Sequence, residues 1–247
     1  MEAITENALL GGRVSFRQPL AGYRAAIDPV LLAAAVPARD GQAVLDAGCG
    51  AGAAGLCLAV RVAGVNVRGL ELQRDLADLA VANAEANGLS DRVETLAGDL
   101  LAPPAELQAG GFDHVMANPP YEMPGTGNVS PHAGKAVASV EGAARLSDWV
   151  GFCLRMVRRK GTVTFIHRAD RLDDLLAAMG GGLGDLAVFP LWPGGGEAKP
   201  AKRVLVRGRK GVSSPLRLLP GLVLHADGGG FTGEADAVLR DAGALAF

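Results

Sequence analysis

LDAGCGAGAAGL, residues 45–56, reads as the end of an apolar strand, a tight glycine turn and the start of a helix. Gly50, Gly52 and Gly55 satisfy the spacing GxGxxG, and Glu71 falls near the end of the next apolar run. Outward from this turn the chain alternates. Strands are expected at 43–46, 65–71, 93–97, 112–117, 162–167, 186–190 and 203–209, and helices at 55–63, 74–87, 146–158 and 172–179. Alternation at this spacing requires right-handed crossovers. The fold class is therefore α/β: a Rossmann-like sheet of seven mostly parallel strands with helices on both faces.

Ahead of this region, Arg13-Val14-Ser15-Phe16 has the look of a short strand folded over the later part of the chain. Asp28 and Pro29 are the expected N-cap and first position of an apolar helix that stops before Pro37. Loops 122–135 and 193–201, rich in Gly and Pro, are the candidate substrate-facing segments. The expected plan is one domain over 1–247: a cover segment (1–40), the core (41–210) and a tail (211–247) packed on it. In that tail, 216–224 is a short apolar run and 234–243 a last helix.

Hydrophobic residues at 49% and charged residues at 20% allow a sizeable core and exclude a disordered chain. A net charge of −2 gives no global pull toward nucleic acid or anionic lipid, so any RNA contact needs a local basic patch. Cys49, Cys57 and Cys153 form no ligand cluster with the histidines, and His132 and His167 have no metal-ligand partners at useful spacing; no metal is expected. His167, at a strand end, reads as a hydrogen-bonded structural residue. The N-terminal MEAITENALLGG carries acids where a signal peptide carries bases, and no run reaches the length of a membrane span, so the expected compartment is the cytoplasm.

A GxGxxG turn serves NAD or S-adenosylmethionine, and three features separate them. Asp46 immediately precedes the glycines, where it would repel a pyrophosphate but can reach a cationic amino group. Gly98-Asp99-Leu100 follows the third strand, where a carboxylate can accept from an adenine amine. Asn118-Pro119-Pro120-Tyr121 follows the fourth, and hydride chemistry has no use for it. These residues, in this order at these strand ends, resemble the class I methyltransferase family over most of the chain. The resemblance implies S-adenosylmethionine as cofactor and an antiparallel last strand. It implies that Gly48, Gly50 and Gly52 let the backbone approach the methionine part, with Cys49 inside that turn. Glu71 would take both ribose hydroxyls, Asp99 with Leu100 would frame the adenine, and Leu72 is a further cofactor-binding candidate. Tyr23 and Asp28, in the segment before the first core strand, would line the cofactor entrance.

The Asn118–Tyr121 motif has legible chemistry. A planar exocyclic amine has a delocalised lone pair and is a poor nucleophile. Hydrogen bonds from its two N–H groups to the Asn118 amide oxygen and the Pro119 carbonyl favour a pyramidal nitrogen, whose lone pair can face a sulfonium methyl. Pro119 and Pro120 fix the backbone and bring no competing N–H, and Tyr121 can stack on a flat substrate. Positioning then dominates, and no strong general base is required.

The motif is similar to that of adenine amino methyltransferases, of ribosomal RNA guanine amino methyltransferases and of release-factor glutamine methyltransferases. The last usually carry a separate helical N-terminal domain, and only about 40 residues precede the first core strand here. The flanks GYRAAIDPVLLAA (22–34), GNVSP (127–131), FIHRADRL (165–172), KRVLVRGRKG (202–211) and FTGEADAVLR (231–240) resemble the valine-tRNA adenine amino methyltransferase family. The expected reaction is therefore methylation of adenine in RNA, with tRNA ahead of ribosomal RNA guanine and protein glutamine; a non-catalytic binder would have no need of Asn118–Tyr121. Lys199, Lys202, Arg203, Arg207, Arg209 and Lys210 form a candidate RNA surface, and Arg155, Arg158, Arg159 and Lys160 a weaker one.

Overall fold

A computed structural model describes residues 3–21, 25–120, 144–196 and 199–247. Two strands, β1 (Ile4–Leu9) and β2 (Val14–Pro19), form an antiparallel hairpin separate from the main sheet. Along β2 the residues Val14, Phe16 and Gln18 alternate inward, so the strand has one buried face. Helix α1 (Asp28–Ala35) is buried from Pro29 onward and is apolar all round, which suits a helix enclosed by other elements.

The main sheet is built from β3 (Ala43–Ala47), β4 (Asn66–Glu71), β5 (Val93–Ala97), β6 (Phe112–Ala117), β7 (Val157–Arg168), β8 (Leu183–Gly194) and β9 (Arg203–Lys210). Their spatial order is β8-β9-β7-β6-β3-β4-β5. All pairs from β5 to β7 are parallel, whereas β9 runs antiparallel to both its neighbours, β7 and β8. The intervening helices are α2 (Ala53–Arg61), α3 (Arg74–Ala86), α4 (Leu146–Met156) and α5 (Leu172–Met179). The Rossmann-like class is as the strand and helix alternation predicts, and the antiparallel last core strand is as the family resemblance implies.

Two differences are informative. The sheet has nine strands among the described residues, because the tail adds β10 (Arg217–Leu218) and β11 (Leu222–His225), both parallel to β8. β8 accordingly continues through Pro190, beyond the expected stop. A proline inside a sheet removes one ladder donor, and here it falls where β8 changes partner, between the β10 rungs at Ala187 and Val188 and the β11 rungs from Leu191. Second, β7 starts at Val157, directly after α4, with a register shift against β6 between Phe112 and His114. Basic residues 158–160, expected to end a helix, stand in that strand. Helix α6 (Gly233–Leu239) closes the tail, N-capped by Thr232, whose hydroxyl accepts from Ala235 N–H at 3.1 Å. Asp28, the expected N-cap of α1, lies inside its first turn after Ile27, and its carboxylate pairs with Arg203 at 3.0 Å.

Candidate functional site

The carboxyl ends of β3, β4, β5 and β6 open into one cavity of about 350 Å³, within the range of small-molecule sites. The glycine turn after β3 makes its floor. Gly48, Gly50 and Gly52 have φ of +69°, +57° and +90°, a region that L side chains rarely adopt. The N–H groups of Gly48 and Cys49 both donate to Leu70 O, at 2.8 and 3.1 Å, which folds the turn back onto β4. Gly48 faces the indole of Trp149 on α4, and a Cβ there would collide with the ring.

Two carboxylates flank this turn. Asp46, 3% exposed, accepts from Gly55 N–H at 3.2 Å. Burial pushes its pKa up to about 7, against the opposing pull of that hydrogen bond. Glu71, 7% exposed, accepts from Gly50 N–H through Oε2 and from Gln73 N–H through Oε1, both at 2.9 Å. Burial raises its pKa too, and the backbone hydrogen bonds hold the rise in check. A carboxylate offers about four lone-pair sites, so Glu71 can brace the turn and still receive a diol. Asp99 Oδ1 accepts from Leu101 N–H at 2.9 Å, and beside it Leu100 is buried while Leu72 stands exposed across the mouth. The Cys49 thiol is pushed far up by burial and by the charges of Asp46 and Glu71, which rules it out as a nucleophile at neutral pH.

Asn118, Pro119 and Pro120 line the same cavity. Their place follows from register: Ala47 pairs with Ala117, so the next residues, Gly48 and Asn118, leave the sheet side by side. Of the expected cofactor residues, Asp46, Gly48, Cys49, Gly50, Glu71, Leu72, Asp99 and Leu100 line the cavity. Gly52 stands just behind it as the N-cap of α2, and Asp28 is not among the lining residues but pairs with one of them, Arg203. Tyr23, Tyr121, His132 and the whole of loop 122–135 lie outside the described residues. Among the described residues no cluster could hold a metal, and no helix is long and apolar enough to cross a membrane. His167 is wholly buried, and burial with nearby arginines lowers its pKa to about 4, so it stays neutral.

Residues 26–138 match the family model described as methyltransferase small domain. The chain is 27% identical over 252 residues to a tRNA1(Val) (adenine(37)-N6)-methyltransferase of Dickeya chrysanthemi, with 95% of each protein covered. It is 35% identical over 92 residues to a release factor glutamine methyltransferase of Chlorobaculum tepidum, a match over 37% of this chain and 31% of that protein. A solved structure described as a predicted O-methyltransferase of Agrobacterium tumefaciens superposes with a TM-score of 0.74 at 27% identity, covering 89% of this chain and 99% of the other. Over most of its length the chain is thus similar to methyltransferases.

Trp149, and Phe16 and Gln18 of β2, line the cavity without having been expected there from sequence. Trp149 had a signal available, as an aromatic in the first turn of a helix that follows the motif loop. The basic cluster also divides once folded. β9 advances about 3.3 Å per residue, so Arg203 and Lys210 lie roughly 23 Å apart, at opposite ends of the sheet. Arg203 lines the cavity. Arg207 instead donates to Ala35 O at 3.1 Å and lies 4.3 Å over the Phe247 ring, and Lys210 Nζ donates to Leu154 O and Val157 O at the end of α4. Those two cations serve the fold, as does Arg158, paired with Asp113 at 2.7 Å.

Proposed function

We propose that this chain transfers a methyl group from S-adenosylmethionine to the exocyclic amine of adenine in RNA, with tRNA the foremost substrate. The observation that carries this reading is the placement of Asn118 and Pro119 beside Gly48, in one cavity with Asp46, Glu71 and Asp99. The cofactor, when bound, supplies a methyl group on a sulfonium. Glu71 receives the ribose hydroxyls, Asp99 accepts from the adenine amine between Leu72 and Leu100, and Asp46 faces the cationic end beside the glycine turn. Asn118 Oδ1 and the Pro119 carbonyl accept from the substrate amine and turn its lone pair toward the methyl. Tyr121 completes the motif as the stacking face. Arg203, with neighbouring Lys199 and Lys202, marks the rim where phosphates approach, and Arg207 is left out of that surface. The whole of 1–247 works as one domain in the cytoplasm.

Radiolabelled methyl transfer from S-adenosylmethionine to total tRNA, ribosomal RNA and protein, drawn from a deletion strain, tests this directly. Label in N6-methyladenosine of tRNA is expected. Label confined to protein glutamine or to guanine would overturn the adenine assignment.

Asp46 gives a second test, with two opposite signs. Its folded-state pKa of about 7 lies above the ordinary 3.8. Its support for the fold is therefore complete below about pH 4 and is lost as pH rises through about 7. A cationic ligand prefers the carboxylate, so cofactor affinity should climb between pH 6 and 8, by at most about tenfold per unit. Asp46→Asn should raise the Tm of the ligand-free protein more at pH 8 than at pH 5, while weakening cofactor binding and flattening its pH dependence. Thermal scans and calorimetry at the two pH values check both; a variant that binds as the wild type does removes Asp46 from the site.

A further inference from the structure

Helix α3 carries two asparagines, Asn83 in its last turns and Asn87 at its C-cap. Asparagine is a weak helix former in an interior position such as that of Asn83. Each makes a two-point pair with one residue of β2. Arg17 N–H donates to Asn83 Oδ1 at 2.9 Å, and Asn83 Nδ2 donates to Arg17 O at 2.8 Å. Ser15 N–H donates to Asn87 Oδ1 at 2.9 Å, and Asn87 Nδ2 donates to Ser15 O at 2.7 Å. A strand residue points its N–H and C=O to the same edge, so a carboxamide can stand in for a neighbouring strand there. The spacing agrees as well. Four helical residues rise about 6.0 Å and two strand residues advance about 6.6 Å, so both rungs close together.

Asn83 does more than hold an edge. It is fully buried, and its Nδ2 also donates to Ala51 O, inside the glycine turn, at 2.9 Å. β2 contributes Phe16, Gln18 and Pro19 to the cavity wall. One buried amide thus ties a wall of the cavity to its floor.

We propose that Asn83 and Asn87 clasp the β1–β2 hairpin against the cofactor cavity, and that Asn83 is a positioning residue for the cofactor. This rests on the reading that the cavity takes S-adenosylmethionine. Removing the Asn83 carboxamide leaves Arg17 N–H and the carbonyls of Arg17 and Ala51 without this partner next to the site, which loosens wall and floor together. The reacting atoms are untouched. Retention of the cofactor should suffer and the chemical step should not.

The test uses the full chain. Calorimetry with S-adenosylhomocysteine is expected to show a Kd raised about tenfold or more in Asn83→Ala, the scale of a lost buried amide network. KM for S-adenosylmethionine should rise in parallel, with kcat at saturating cofactor within about twofold. Asn83→Asp, which keeps the acceptor for Arg17 N–H and loses both donors, should fall between. Asn87→Ala, which leaves the turn alone, should raise Kd by only about threefold. Hydrogen exchange on the ligand-free wild type adds a readout free of cofactor: the Ser15 and Arg17 amides should be protected, and the protection lost in the two alanine variants. A folded Asn83→Ala with wild-type Kd overturns the proposal, as does a fall in kcat at unchanged KM. Exchange of Ser15 and Arg17 at unstructured rates overturns it even if Asn83→Ala fails to fold. A wild-type chain that does not bind S-adenosylhomocysteine sinks the cofactor reading itself, and the positioning role with it.

Discussion

Asn118→Ala is expected to lower turnover by two orders of magnitude or more while cofactor affinity stays nearly unchanged. In the proposed reaction the side chain meets the substrate amine, and it stands at the end of a strand whose register sets it beside Gly48. Losing a positioning hydrogen bond worth roughly 3 kcal/mol in the transition state gives a loss of this size. Single-turnover methyl transfer and calorimetry on the same preparation separate the two quantities. Asn118→Asp is the sharper probe. It keeps size and an acceptor but places a negative charge next to amine and sulfonium, holding the cation more firmly in the ground state. Partial activity from the aspartate and almost none from the alanine is the expected order. Near-normal methyl transfer by Asn118→Ala would remove the motif from the chemistry.

Glu71→Ala is expected to act on the other half of the reaction. The variant should bind S-adenosylmethionine about 1–3 kcal/mol more weakly, the loss of a charge-assisted contact in a buried site. The upper end of that range is expected, because Glu71 also braces Gly50 and Gln73 through their N–H groups. At saturating cofactor, turnover should recover most of its wild-type value, the reverse of the Asn118 pattern. NAD should not bind detectably to either protein. Tight NAD binding by calorimetry would end the methyltransferase reading.

The parallel half of the fold could be read because period and punctuation agree there. β5, β6 and α5 have the expected bounds, and each lies between clear turn or cap signals. Much of the cavity lining was legible for a related reason: Asp46, Glu71, Asp99 and Asn118 all lie at carboxyl ends of strands, so locating the strands locates these residues. What stayed hidden depends on distant partners. Pro190 looked like the end of a strand, and only the tail strands explain how β8 passes through it. β1 has a polar, mostly exposed sequence, ITENAL, that signals a strand only once β2 lies beside it. Asp28 carried a proper capping signature, yet Arg203, far along the chain, engages its carboxylate. The basic residues of β9 looked like one surface because sequence shows neighbours, whereas an extended strand carries them from one end of the sheet to the other.

The placement of β9 between β7 and β8 bears on how the protein is made. Every strand that pairs with β8 comes after it in the chain: β9, β10 and β11. On a ribosome, the half of the sheet from β5 to β7 can close while the remainder is still being translated. β8, with its apolar run Ala-Val-Phe-Pro-Leu-Trp at 187–192, must then emerge with no edge of its own to join. It waits for Arg203 and the residues behind it to insert alongside β7. A chain that stops or stalls before that point exposes two hydrophobic edges at once, β7 and β8, and such edges are the ones that pair with other molecules. That interval, late in synthesis, is when the chain is most open to proteolytic quality control, with the carboxyl ends of β3 to β6 already in place.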